Sequence, residues 1–245
     1  MLSHCCDDPR LYNGGPVFYV GDLLSPKLSG EDAHHLISAR RAKPEEEIII
    51  GDGRGSLRLA KIVRISSKRG EGDVDLSLHG PIYFEEEKTP VTTVASYIPK
   101  GDRLSYMVEK LAETGLDQLY LISSSLDRRS GKELGASSIS RLYRVAHQAS
   151  MQAKRARPLR FGGVIDPQRC IEVFGPTAAL CDFNGTKPSF AYSTWIVGPE
   201  SGVVDSEFSV LPKIRLTTQV LRVETASVVS AALLVAFREQ LIKEG

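Results

Sequence analysis

The sequence predicts an α/β protein in which a small β-barrel precedes a larger domain built on a mostly parallel sheet. Short apolar bursts separated by glycine-rich turns fill the first third of the chain, and a charged run ending in proline interrupts them. Beyond it, segments of strand-like and helix-like periodicity alternate, the pattern of a parallel sheet covered by helices. At 245 residues and 42% hydrophobic composition the chain can bury a real core, in one large domain or two smaller ones.

Up to about Ile82 the bursts cover residues 17–20, 48–50, 57–65 and 74–78. Gly51-Asp52-Gly53, Ser66-Ser67-Lys68-Arg69-Gly70 and Gly80-Pro81 separate them as turns, and short strands so punctuated suggest a barrel. Residues 31–42 differ: Ala33, Leu36 and Ile37, preceded by Ser29 and Glu31, predict a short helix. Glu85-Glu86-Glu87-Lys88-Thr89-Pro90 has the composition of an exposed linker, which places one domain at 1–86 and the other at 90–245. In the second domain residues 91–97 predict a strand. A helix follows from Asp102, with Leu104, Met107, Val108, Leu111 and Ala112 at helical spacing. Residues 116–123 predict a strand, 137–153 a helix, 178–181 and 193–197 strands, and 224–241 a final helix. That helix is apolar nearly all round from Val228 to Phe237, as in a core helix or a dimer interface.

Thirty-one basic and thirty acidic side chains leave a net charge of +1, so nucleic-acid binding requires a local patch. Cys5, Cys6, Cys170 and Cys181 lack C-x-x-C spacing and histidine partners at metal-ligand intervals, which argues against a disulfide framework or a metal site. His34-His35 sit within the predicted short helix, where packing explains them better than metal binding. The first twenty residues include Asp7, Asp8 and Arg10 with no apolar run, and no stretch is long enough to span a bilayer; a cytoplasmic setting is expected. There is no Ser/His/Asp arrangement, Walker loop or G-x-G-x-x-G after a strand.

Parallel sheets bind ligands at the carboxyl ends of their strands, so glycine-bearing strand-to-loop junctions are the places to search. The first runs from Ser193 through Trp195 and Val197 into Gly198-Pro199-Glu200-Ser201-Gly202. Its glycines let backbone amides press against a ligand, or the Gly-Pro pair merely ends a strand. The second runs from Ile214 through Leu216-Thr217-Thr218-Gln219-Val220-Leu221 to Arg222-Val223-Glu224-Thr225-Ala226. There Arg222 and Glu224 flank a helix start with its unpaired amide donors, as a ligand site or as a surface ion pair. A third feature, Gln152-Ala153-Lys154-Arg155-Ala156-Arg157-Pro158-Leu159-Arg160, gathers four cations within seven positions. Phosphate binding accounts for it better than helix-end cations, which explain one or two. Arg40-Arg41-Ala42-Lys43 is a second basic cluster, followed at once by Glu45-Glu46-Glu47.

Taken in order, these segments resemble the bacterial 16S ribosomal RNA uracil-N3 methyltransferases, a family of the SPOUT superfamily. The resemblance runs through Phe18-Tyr19-Val20, His34-His35-Leu36 with Arg41, Gly51-Asp52-Gly53, Lys100-Gly101-Asp102-Arg103, and Lys110 to Gly115. It continues in Gln152, Arg155 and Pro158, the Gly198–Gly202 loop, and Val220-Leu221-Arg222-Val223-Glu224-Thr225-Ala226, and so covers nearly the whole chain. It implies a PUA-like β-barrel, a trefoil-knotted parallel-sheet domain, a homodimer with sites at its interface, and S-adenosylmethionine as methyl donor. On this resemblance Leu180 and Cys181, then Val197, Gly198, Pro199, Glu200 and Gly202, hold the cofactor from one side. Leu216, Gln219, Val220, Leu221 and Thr225 hold it from the other. Arg222 stabilises the uracil imide anion, and Glu224 fixes Arg222 or accepts the proton. Arg41, Gln152, Lys154, Arg155 and Arg157 contact 16S rRNA or the small subunit. The chain departs from the family at Ser201 and Thr217-Thr218-Gln219, where glycines are usual, and at Val17, where arginine is usual. A left-handed backbone at 201 would strain serine. A binding-only relic of the same fold, acting in ribosome assembly, is the alternative these departures raise.

Overall fold

Apolar positions that alternate inward and outward along the strands assemble two six-stranded sheets. The computed structural model describes residues 3–4, 11, 15–68, 71–123, 134–203 and 208–243; Cys5, Cys6, Asp7, Asp8, Arg10, Arg69 and Gly70 lie outside them. The chain divides into two compact units, 1–87 with 150–158, and 88–149 with 159–245. The basic stretch 152–158 is thus grouped with the N-terminal unit instead of the domain predicted from Pro90 onward.

The N-terminal unit contains β1 (Ser3–His4), β2 (Val17–Tyr19), β3 (Leu28–Ser29), β4 (Glu47–Gly51), β5 (Ser56–Lys68) and β6 (Glu71–Phe84). They run in the order β1-β6-β5-β4-β2, with β3 also on β6. Ile48 and Ile50 of β4 pack with Phe18, Leu36, Ile62 and Met151, while Ile49 packs with Val17, Leu57, Leu59, Tyr83 and Ala156. Both faces of β4 are therefore buried, each such side chain contributing about 1.5–3 kcal/mol. The predicted short helix is α1 (Gly30–His34), which continues as a π-helical turn over His35–Ala39. Gly80-Pro81 does not end a strand: Leu59 pairs with His79 and Arg58 with Ile82, leaving the two residues as a bulge inside β6. Gly80 takes φ +71 there, and a bulge is where a strand tolerates proline.

The second unit is an all-parallel sheet, ordered β12-β10-β11-β7-β8-β9. Its strands are β7 (Thr93–Tyr97), β8 (Gln118–Ile122), β9 (Arg160–Ile165), β10 (Ala178–Thr186), β11 (Thr194–Val197) and β12 (Lys213–Ile214). Between them lie α2 (Arg103–Glu113), α3 (Ala136–Gln152), α4 (Pro167–Phe174) and, after β12, α5 (Val223–Arg238). Trp195 and Val197 face a core shared with Met107, Leu111, Ala231 and Leu234, whereas Ile196 faces Tyr97, Leu180 and Phe208 on the other side. The end of α5 is tied to the start of β7: the Asp117 carboxylate accepts hydrogen bonds from Thr92 N at 2.8 Å, Thr92 Oγ1 at 2.9 Å and the Arg238 guanidinium. Among the described residues no helix is long and apolar enough to cross a membrane.

Candidate active site

Strands β10 and β11 are reached by a crossover from β9 at the opposite edge, and such reversals open a crevice at the strands' carboxyl ends. A cavity of about 650 Å³ occupies this place, within the range of about 300–1,000 Å³ typical of small-ligand sites. Leu180 and Cys181 come from β10, where its pairing with β11 ends, and Val197, Gly198, Pro199, Glu200 and Gly202 supply the end of β11 and the turn after it. Leu216, Thr217, Gln219, Val220 and Leu221 come from the segment after β12, and Arg222, Val223 and Ala226 from the start of α5. The two junctions singled out in the sequence thus line one cavity.

Gly202 closes the first turn, with φ +80 and its amide donating to the Pro199 carbonyl at 3.0 Å. Ser201 is not among the residues with positive φ, so the serine is unstrained. Gly202→Ala is accordingly expected to destabilise the protein by about 1–2 kcal/mol, whereas Ser201→Gly brings no gain; thermal denaturation of both variants checks this. The second departure is equally accommodated. Thr217 Oγ1 accepts from Gln219 N at 3.1 Å and donates to Gln219 O at 2.8 Å, closing the turn with a hydroxyl in place of a glycine. Val17 is fully buried in the β4 core, a packing role that an exposed arginine would not serve.

Arg222 is the N-cap of α5, with φ −70 and ψ 158, and its side chain makes no capping bond. It is exposed and has no ion-pair partner among the described residues. Val223 and Ala226 share its face of the helix, while Glu224 and Thr225 do not line the cavity: Thr225 points to solvent and Glu224 is buried. The ion pair Glu224 makes is with Arg103, Nε to Oε1 at 3.6 Å, not with Arg222. Arg103, at the start of α2, also lies 3.9 Å from Glu200 Oε1, so one guanidinium spans both junctions. The second Glu224 oxygen is buried with no hydrogen-bond partner among the described residues. Burial pushes the Cys181 thiol up to about 12, with Ser230 Oγ 3.5 Å away, so at neutral pH this wall is uncharged.

Sequence reasoning missed Arg103, which pairs with Glu200 and Glu224, and likewise Phe183 and Arg215, which line the cavity. The Lys-Gly-Asp-Arg run was visible, but its partners lie about a hundred residues away in the chain. Arg41, Gln152, Lys154, Arg155 and Arg157 all belong to the N-terminal unit. There Arg157 is drawn into structure: it donates to the Glu85 carbonyl at 3.0 Å and lies 5.7 Å from the Phe84 ring centroid. Tyr19 OH donates to the Arg155 carbonyl at 2.8 Å, fixing the same segment. Lys154 takes φ 56 and Arg41 φ 52, and Arg41 and Gln152 are exposed.

Comparison with known proteins places this geometry in context. A family described as an RNA methyltransferase domain matches residues 85–235, and one described as an RNA methyltransferase PUA domain matches 28–75. Ribosomal RNA small subunit methyltransferase E of Mycobacterium bovis is 26% identical over 238 residues, covering 87% of this chain and 88% of its own. A probable rRNA-methyltransferase from Porphyromonas gingivalis superposes with TM-score 0.75 at 24% identity, covering 93% of this chain and all of the other. Ribosomal RNA small subunit methyltransferase E from Neisseria gonorrhoeae, solved bound to S-adenosyl methionine, gives 0.73 at 18% identity over 91% and 98%. These likenesses show the fold, a PUA-like barrel followed by a parallel-sheet domain.

Proposed function

The chain belongs to the RNA methyltransferase family, and from that premise we propose that it uses S-adenosylmethionine to methylate N3 of a specific uridine in the 16S RNA of the small ribosomal subunit. The observation that carries this reading is the convergence of both glycine-bearing and hydroxyl-closed turns on one cavity beside an unpaired arginine. The relatives named for small-subunit RNA methylation, one of them bound to S-adenosyl methionine, support the choice of substrate and cofactor.

The residues present fit the cofactor. Leu180, Val197, Leu216 and Leu221 offer apolar walls for an adenine ring. The amides of Val220 and Leu221 have no acceptor among the described residues and are available to its polar edge. Thr225, which faces away, is not needed for that contact. Bound there, S-adenosylmethionine supplies a methyl group already activated by its sulfonium.

The chain's own task is then to position a uracil whose N3 carries a proton at neutral pH and to stabilise the imide anion left when that proton passes to water. Arg222 places a guanidinium at the cavity, at the positive end of α5, and both favour the imide anion. Glu224 acts as a positioning group: its buried carboxylate holds Arg103, and Arg103 reaches Glu200, tying one turn to the other across the cavity. RNA is held by Arg41, Gln152, Lys154, Arg155 and, beyond its structural bonds, Arg157, with the barrel 1–86 as RNA-binding domain and 90–245 as methyltransferase domain. We propose a homodimer through α5, whose Val228, Val229, Val235 and Ala236 are only half-buried. A ribosomal substrate makes the cytoplasm its compartment. The departures that would have favoured a binding-only relic, at Ser201, Thr217 and Val17, are each accommodated.

Small-subunit RNA from cells lacking this protein should lose one 3-methyluridine by mass spectrometry. Unchanged RNA would refute the proposal.

A further inference from the structure

Strand β10 does not end where its partner β11 does. Its residues 178–181 pair with β11, and on the other side Ile214 of β12 pairs with both Cys181 and Thr186, so Asp182, Phe183, Asn184 and Gly185 bulge out between these two contacts. The bulge is pinned at both ends. Lys213 Nζ lies 3.0 Å from Asp182 Oδ2, Asp182 Oδ1 accepts from Asn184 N at 2.8 Å, and Thr186 Oγ1 donates to the Lys213 carbonyl at 3.2 Å. Arg215 N donates to the Thr186 carbonyl at 2.7 Å, and a Cβ on Gly185 would fall 2.4 Å from the Ile214 backbone, so no other residue fits that crossing. The hydrogen bonds that the Asn184 amide and the Lys213 ammonium donate to Asp182 hold its carboxyl below the usual range, keeping it ionised against Lys213.

A bulge beside a site re-aims a side chain. Here the side chain is Phe183, 52% exposed yet lining the cavity. It contributes to no core cluster, so packing gives no reason for an aromatic ring. Arg215, just after the neighbouring strand β12, lines the same cavity, is exposed and has no side-chain partner among the described residues. Lys213 is matched by Asp182, which leaves Arg215 and Arg222 as the free positive charges at this opening.

An exposed aromatic face beside unpaired guanidinium groups is what single-stranded RNA recognises, because every base has a π-face and every nucleotide a phosphate. We infer that Phe183 and Arg215 form the substrate lip of the cavity: the ring stacks on a base of the RNA strand carrying the target uridine, and the guanidinium pairs with a phosphate of that strand. The inference rests on the functional reading above and deepens it, since a uridine must leave its stack before its N3 can meet a methyl donor.

The test uses the full chain and small subunits from cells lacking it, with S-adenosylmethionine binding followed by calorimetry. Phe183→Leu keeps apolar bulk but removes the π-face, so the KM for small subunits should rise roughly 10-fold, as loss of one stacked base implies. The dissociation constant for S-adenosylmethionine should stay within about twofold by the same reasoning, because stacking on RNA does not involve the cofactor. Phe183→Trp should restore the KM. Arg215→Gln should flatten the salt dependence of RNA binding by about 0.7 in log–log slope, the loss of one phosphate contact. An unchanged KM in Phe183→Leu overturns the inference. So does a loss of cofactor affinity, which would make Phe183 a cofactor wall, or a shift from dimer to monomer on gel filtration, which would make it a contact with a second copy. If the wild-type chain itself binds no S-adenosylmethionine and methylates nothing, the functional reading fails and the lip falls with it; active wild type with indifferent variants condemns the lip alone.

Discussion

Replacing Arg222 with alanine is expected to slow methylation by about 100- to 1,000-fold, the range for removing one donor to a developing anion, while S-adenosylmethionine still binds. The separation follows from where the side chain stands. Arg222 caps α5 through its backbone conformation alone, without a side-chain bond, and no acidic group among the described residues depends on it. Its loss therefore leaves no buried charge behind, and the thermal midpoint should hold. The apolar cavity walls proposed for the cofactor, Leu180, Val197, Leu216 and Leu221, come from other segments and are untouched. Single-turnover rates with saturating cofactor, alongside calorimetric affinity, measure the two properties separately. Wild-type turnover in the variant would remove Arg222 from the chemistry and leave the helix dipole as the source of anion stabilisation.

Asp117→Ala should instead damage the fold, by about 3 kcal/mol, the low end for opening a buried ion pair. Arg238 is only 6% exposed in its side chain, and the Asp117 carboxylate is one of two acidic groups that meet it. Glu239, 3.2 Å from Arg238 Nε, remains to compensate part of the charge, which is why the higher end is not reached. Two donors of Thr92 also lose their acceptor. For a chain of this size the thermal midpoint should fall by roughly 6–12 °C. A midpoint unchanged within error would mean that apolar packing alone seats the end of α5.

The alternation of strand and helix was legible because each element reports its own period: Leu104, Met107, Val108, Leu111 and Ala112 repeat at helical spacing, and all five are buried on α2. The first junction was legible because glycines follow an apolar strand, and the second because Arg222 and Glu224 flank a helix start. What escaped notice was written in less direct signs. Strand β9 carries Gly162-Gly163, which reads as a turn; in the fold the Tyr120 ring fills the place of a Gly162 side chain, 2.2 Å from where its Cβ would be. Helix α4 is marked in the sequence by Asp166 before Pro167, and the Asp166 carboxylate accepts from Arg169 N at 2.8 Å, but at eight residues it is too short for its apolar positions to show a helical period. The Arg103 bridge could not be read at all, since a salt bridge to Glu200 and Glu224 depends on which strands become neighbours. Thr225 shows the limit of a motif: contiguous in sequence with cavity residues, it is turned away by the helical twist.

Residues 150–158 return to the N-terminal unit and give its interior Met151 and Ala156. The barrel is therefore not a bead on a string. A fragment ending at the acidic linker would carry a hole where those two side chains belong, and the rest of the chain would keep a loop that had lost its seat. Gene fusions that trade this barrel for another would have to graft two separate stretches at once. That requirement links the inheritance of the N-terminal unit to that of the parallel-sheet unit and makes modular exchange between such proteins difficult.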